Sequence, residues 1–124
     1  MVFRPPLSRE HVEQFHSDGF VVVKGLLSST EYDVLQKFCT GERGLGELQT
    51  EVRDTGARTY KVAIWTTLDG TLFGKLPRLP RVVFAAQQLL GEPVYHWHSK
   101  VLRKQPGDGS VGIHQDYATW YEDG

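Results

Sequence analysis

The residues best suited to chemistry in this 124-residue chain are His114 and Asp116, within Ile113-His114-Gln115-Asp116-Tyr117. Read as a strand, residues two apart project from the same face, so both side chains enter one space. An imidazole nitrogen and a carboxylate oxygen at that spacing can take two adjacent positions on one metal ion. A second imidazole would complete the 2-His-1-carboxylate face of non-haem Fe(II) oxygenases, which keeps positions open for a co-substrate and O₂. The three-residue pattern also arises by chance, as a hydrogen-bonded His beside a turn-capping Asp. Here it follows a Gly-Pro-rich turn and precedes Tyr117, Trp120 and Tyr121. Upstream, His96 and His98 share a strand face, and a hairpin would set His98 beside His114.

The elements that must position these residues follow from pattern. Ser8 N-caps a first helix, which Gly19 ends, and Ser28-Ser29-Thr30-Glu31 is a capping box opening a second that carries Tyr32, Leu35, Phe38 and Cys39. Pro80 starts a third helix with an apolar stripe of Val82, Val83, Ala86, Leu89 and Leu90, closed by Gly91. Strands are expected at Phe20–Val23, about 48–53, Thr59–Trp65, Val94–Lys104 and Val111–Tyr117, the last two joined as a hairpin by the turn at Gln105–Ser110. Residues 66–77 read as loop. Cys39, Trp65 and Trp97 read as core. Helices and strands do not alternate regularly, which favours an α+β single domain over 1–124.

Composition narrows the function classes. Fourteen Lys and Arg balance 15 Asp and Glu, for a net charge of −1, so no basic field invites nucleic acid. No apolar run approaches a membrane span. The single cysteine excludes an intrachain disulfide and a Cys-rich zinc module, and together with a proline-bearing, h-region-free N-terminus it points to an intracellular, cytoplasmic setting. No nucleophile elbow, P-loop or Rossmann glycine pattern is present.

Three stretches carry a family resemblance: Tyr95-His96-Trp97-His98-Ser99-Lys100, Lys104-Gln105-Pro106-Gly107, and His114-Gln115-Asp116-Tyr117-Ala118-Thr119-Trp120-Tyr121. Together they resemble the phytanoyl-CoA dioxygenase family of Fe(II)/2-oxoglutarate oxygenases. The opening LSREHVEQFHSDGFVVVKGLLS and Arg58-Thr59-Tyr60-Lys61 are similar to that family as well. The resemblance implies a double-stranded β-helix, or jelly roll, with helices flanking one sheet. It implies Fe(II) as metal, 2-oxoglutarate as co-substrate, and hydroxylation of a small-molecule substrate. The family's first metal His falls on His114 and its metal Asp on Asp116. Lys100 and Lys61 are implied as contacts of 2-oxoglutarate, with Gln115 and Trp120 bordering the pocket. At His98 the resemblance implies a co-substrate or structural role instead of a metal ligand. For each Lys the plain alternative is a solvated strand charge.

The family pattern also requires a second His and a carboxylate-clamping Arg well beyond the H-x-D, whereas Gly124 stands eight residues after Asp116. About five candidate strands fall short of the eight of a jelly roll. The expected architecture is therefore an incomplete jelly roll, the front part of an oxygenase, with strand edges open to self-association. The alternative is a catalytically silent fragment or binding module derived from that fold.

Overall fold

A computed structural model of the chain describes residues 6–40 and 48–116. Helix α1 spans Arg9–Asp18, α2 Ser29–Thr40, a one-turn α3 Leu72–Lys75, and α4 Pro80–Leu90. Strands β1 (Gln49–Arg53), β2 (Thr59–Trp65) and β3 (Ser99–Arg103) form an antiparallel sheet in the order β1-β2-β3. The fold is α+β, as expected. Among the described residues no helix is long and apolar enough to cross a membrane.

Local chemistry sets the helix ends. At α1, Ser8 Oγ accepts the His11 backbone N–H, and the His11 ring accepts the Ser8 backbone N–H in return. An imidazole thus takes the place usually held by Glu in a capping box. At α2, Ser28 and Glu31 make the expected reciprocal pair. Gly19 and Gly91 close α1 and α4 at φ of 78° and 74°, the left-handed conformation glycine adopts without strain. Leu7, buried, is clasped to α4: its backbone N–H donates to Gln88 Oε1 at 3.0 Å, and Gln88 Nε2 donates back to its carbonyl.

Strand β2 is the centre of the sheet, and its alternation creates two unlike faces. Lys61, Ala63 and Trp65 face one way, opposite Arg103, Val101 and Ser99 of β3. On this side fully buried Ala63 meets Phe73 of α3, with Phe38 and Cys39 of α2, Trp65 and Val101 packed around them. Phe73 has its ring centroid 4.5 Å from both Phe38 and Trp65. Burial pushes the Cys39 thiol up, keeping it a neutral core group. The other face carries Tyr60, Val62 and Ile64, with Lys100 opposite Ile64 and Leu102 opposite Val62.

Several sequence expectations fail for identifiable reasons. Phe20–Val23 forms no strand, and Phe20 and Val22 are exposed; a β-branched run becomes a strand only with a partner to complete its ladder. The strand placed at Val94–Lys104 contracts to Ser99–Arg103, because β2 ends at Trp65, opposite Ser99. Trp97, in the part left out, is exposed and not core. No strand runs over residues 111–116, so β3 has no hairpin partner there and pairs with β2. The 66–77 stretch is not plain loop: it holds α3, and Leu76–Arg78 forms a 3₁₀ turn behind it. On α4 the most buried side chain is Ala85, while Leu90 is exposed. The described residues form three strands, not five.

Candidate functional site

The path to the site starts at the end of β3. Gln105-Pro106-Gly107-Asp108 is a type II turn: Pro106 fixes the first corner, Gly107 takes φ 91° at the second, and the Asp108 N–H donates to the Gln105 carbonyl at 3.0 Å. Asp108 Oδ2 accepts the Gln105 N–H at 2.7 Å, tightening the loop. The chain then lies against the β1–β2 hairpin turn, where Gly109 N–H donates to Thr59 O and Ser110 N–H donates to Asp54 Oδ2, each at 2.9 Å. Over residues 111–115 it is irregular, and the backbone turns helical at Asp116.

Strand parity therefore does not bring His114 and Asp116 together, yet their side chains meet. His114 Nε2 lies 3.1 Å from Asp116 Oδ1, and His114 Nδ1 lies 2.8 Å from the Gly112 carbonyl oxygen. That carbonyl can only accept, so Nδ1 carries the proton and donates. In the neutral ring Nε2 is then a lone pair aimed at a carboxylate oxygen, and two acceptors so close repel unless positive charge stands between them. The charge can be a proton, giving imidazolium, or a metal ion. A metal ion fits. Donors about 2.1 Å from an ion and at right angles to each other stand about 3 Å apart, and a carbonyl on the second ring nitrogen is the usual support for a metal-binding His.

Lys100 joins the pair from the sheet. Its Nζ lies 3.7 Å from the same Asp116 Oδ1, with 30% of its side chain exposed. Lys61 does not join it. It lies on the helix-covered face of β2, between Glu51 of β1 and Arg103 of β3. There it lines a polar cleft of about 220 Å³ with Glu51, Arg103 and Asp108. The two ammonium groups expected to share one carboxylate stand on opposite sides of the sheet. Gln115 is exposed beside the pair, and Trp120 lies outside the described residues. His98 sits just before β3, and among the described residues no group of three His, Cys, Asp or Glu side chains is placed to hold a metal. The hairpin that would have carried His98 to His114 does not form.

Asp54, which sequence reasoning passed over, is one of the residues through which the site segment meets the sheet. Asp54-Thr55-Gly56-Ala57-Arg58 carries the turn signals of a hairpin, but nothing local shows that the carboxylate also receives Ser110. The Ser110 N–H, foremost, holds the Asp54 carboxyl below the usual carboxylate range, and the Arg58 and Gly56 N–H groups add to it.

Comparison with known proteins supplies the wider setting. The sequence pattern of the phytanoyl-CoA dioxygenase (PhyH) family matches residues 15–124. An ectoine dioxygenase of Bordetella bronchiseptica is 28% identical over 98% of this chain and 41% of its own length. That of Streptomyces coelicolor is 30% identical over 96% of this chain and 42% of its own. A 52-residue stretch, 40% of this chain and 19% of the relative, is 50% identical to an L-proline trans-4-hydroxylase of Streptomyces griseoviridis. The chain thus spans about two-fifths of the length of the ectoine dioxygenases it matches. No solved structure gives a significant match. The family pattern covers helix α2, the sheet and the His114–Asp116 pair alike, and the chain belongs to the phytanoyl-CoA dioxygenase family.

Proposed function

We propose that this chain supplies the first His and the Asp of an Fe(II) site, and a lysine for 2-oxoglutarate, in a hydroxylase acting on an aliphatic C–H bond of a small molecule. The observation that carries the reading is the lone pair of His114 Nε2 facing Asp116 Oδ1 at 3.1 Å, with Nδ1 held by Gly112. Fe(II), when bound, would supply O₂ activation coupled to oxidation of 2-oxoglutarate. The Gly112 carbonyl holds the imidazole in the tautomer a metal needs. Asp116 contributes negative charge, and Lys100, with its Nζ 3.7 Å from Asp116 Oδ1, would offer its ammonium to a co-substrate carboxylate as a point charge. The sheet of β1–β3 would be one part of the family's jelly roll. Ectoine dioxygenases and a proline hydroxylase among the relatives favour a compact, polar substrate.

A second reading rests on the same contacts. Asp116 has two partners of basic type, Lys100 and His114, and with an imidazolium the trio is a structural ion cluster. The chain would then be a non-catalytic module of the same ancestry. Titration of the intact protein with Co(II), an absorbing stand-in for Fe(II), separates the two. The metal reading expects visible absorption bands that His114→Ala and Asp116→Ala each weaken or abolish. Absence of protein-dependent bands, with an imidazolium at His114 in the nitrogen NMR spectrum at neutral pH, would establish the ion cluster instead.

A further inference from the structure

The carboxylate of Asp54 is committed on both sides. Its Oδ1 accepts the Arg58 N–H at 2.9 Å within its own hairpin turn, and its Oδ2 accepts the Ser110 N–H at 2.9 Å, 56 positions along the chain. The side chain is only 3% exposed, although Arg58 beside it is largely open to solvent. One residue earlier, the Gly109 N–H donates to Thr59 O, and Gly109 is buried so tightly that a Cβ would stand 2.7 Å from the Arg58 carbonyl oxygen. Two successive backbone N–H groups are thus fastened to the far end of the β1–β2 hairpin, four residues before His114.

Beyond that tie the described residues of the segment have little apolar anchorage. Val111 is exposed and Ile113 fully so. Among the described residues, then, apolar side chains of the segment do not place His114 and Asp116; the Gly112 contact is local to the segment, and the Lys100 contact acts once Asp116 is already near β3. The Ser110 tie fixes the segment's starting point, and the hairpin supplies the rigid base.

We propose that Asp54 is a positioning residue for the His114–Asp116 pair, acting through the Ser110 backbone to hold that pair against Lys100. Its consequence for metal binding rests on the function proposed above; its consequence for the shape of the segment does not.

Two variants of the intact protein test this from opposite sides. Asp54→Asn keeps one carbonyl oxygen and presents an NH₂ to the second N–H, so it cannot serve both the turn and Ser110. Gly109→Ala keeps the Asp54 carboxylate in the sequence but drives a methyl group into the Arg58 carbonyl and to 3.3 Å from the Asp54 carboxyl carbon. Near-UV circular dichroism of the Trp65–Phe73 cluster reports whether the core is retained. With the core retained, both variants should speed amide exchange at Ser110 by about tenfold or more. Both should weaken Co(II) binding by about tenfold or more, the usual scale for outer-shell support of a metal site. The His114 ring resonances should move toward those of a free histidine. The double variant should be little worse than the more damaging single one, since both cut the same tie. Variants that keep the core, Ser110 protection, Co(II) affinity and the His114 resonances would overturn the proposal. Should the unaltered protein bind no Co(II), the metal reading fails alone, and Ser110 exchange with the His114 resonances decides the role of Asp54.

Discussion

Lys61 and Lys100 stand on opposite faces of the same sheet: Lys61 pairs across β2–β3 with Arg103, and Lys100 pairs with Ile64. The odd-numbered residues of β2 lie under α2 and α3, whereas Ile64 and Lys100 lie on the side to which Asp116 comes. A carboxylate held near His114 and Asp116 is thus within reach of one of these lysines. Lys100→Ala should weaken 2-oxoglutarate binding by about tenfold or more, the loss of one charge-assisted hydrogen bond. Lys61→Ala, an exposed cation of the opposite cleft, should change it by less than about twofold. Calorimetric titration of the intact protein with 2-oxoglutarate in the presence of Co(II) checks both. Equal losses in the two variants would contradict the assignment of faces.

Phe73 is the keystone of a small core. It is 7% exposed and touches Phe38 and Trp65 by ring-to-ring contact. Phe73→Ala should cost about 3–5 kcal/mol, transfer and cavity terms together, a large share of the stability of a domain this size. Phe73→Leu, which keeps most of the volume, should cost clearly less. Urea unfolding of the two variants gives the comparison; equal costs would mean that the ring contacts and volume do not matter.

Ala57 occupies the left-handed region at φ 64°, a conformation that favours a residue without a Cβ. A non-glycine residue there costs about 1–2 kcal/mol, and glycine gives back about half of that through greater freedom of the unfolded chain. Ala57→Gly should therefore stabilise the protein modestly, by about 0.5–1 kcal/mol on these figures. A rise in the melting temperature is expected, and a fall would count against a strained turn.

Asp54 should also make the site segment sensitive to acid. Its folded-state pKa lies below the ordinary value, chiefly because the charged form accepts the Ser110 N–H. A depressed carboxyl contributes stability that is fully present above the unfolded pKa of about 3.9 and is lost as pH falls through the folded value. The Ser110 amide resonance should hold steady from neutral pH to about 4 and shift only at lower pH. A midpoint above the ordinary carboxyl value would show that the contact does not favour the charged form.

Much of the fold was legible from residue types alone. The caps at Ser8 and Ser28, the stops at Gly19 and Gly91, the Pro80 start and the strand at Thr59–Trp65 depend on neighbours within one or two turns of chain, and all appear where local chemistry places them. The α+β class follows from their order. The residues of the candidate pair, His114 and Asp116, were legible as a motif, although through a strand that does not form.

Tertiary structure decided the rest, because it concerns what lies opposite. Phe20–Val23 has as strong a strand composition as Thr59–Trp65, but only the second has neighbours on both sides to satisfy its backbone. Phe73, in a stretch rich in Gly and Thr, reads as a loop residue until α2 and β2 enclose it. Parity along one strand cannot say which face of β2 the helices will cover, so the separation of Lys61 from Lys100 emerges only with the packed sheet. The bond from Ser110 to Asp54 joins segments 56 positions apart. The sequence determined that a His and an Asp lie two residues apart; the hairpin turn, through a carboxylate no local pattern marks, decided where that pair is held.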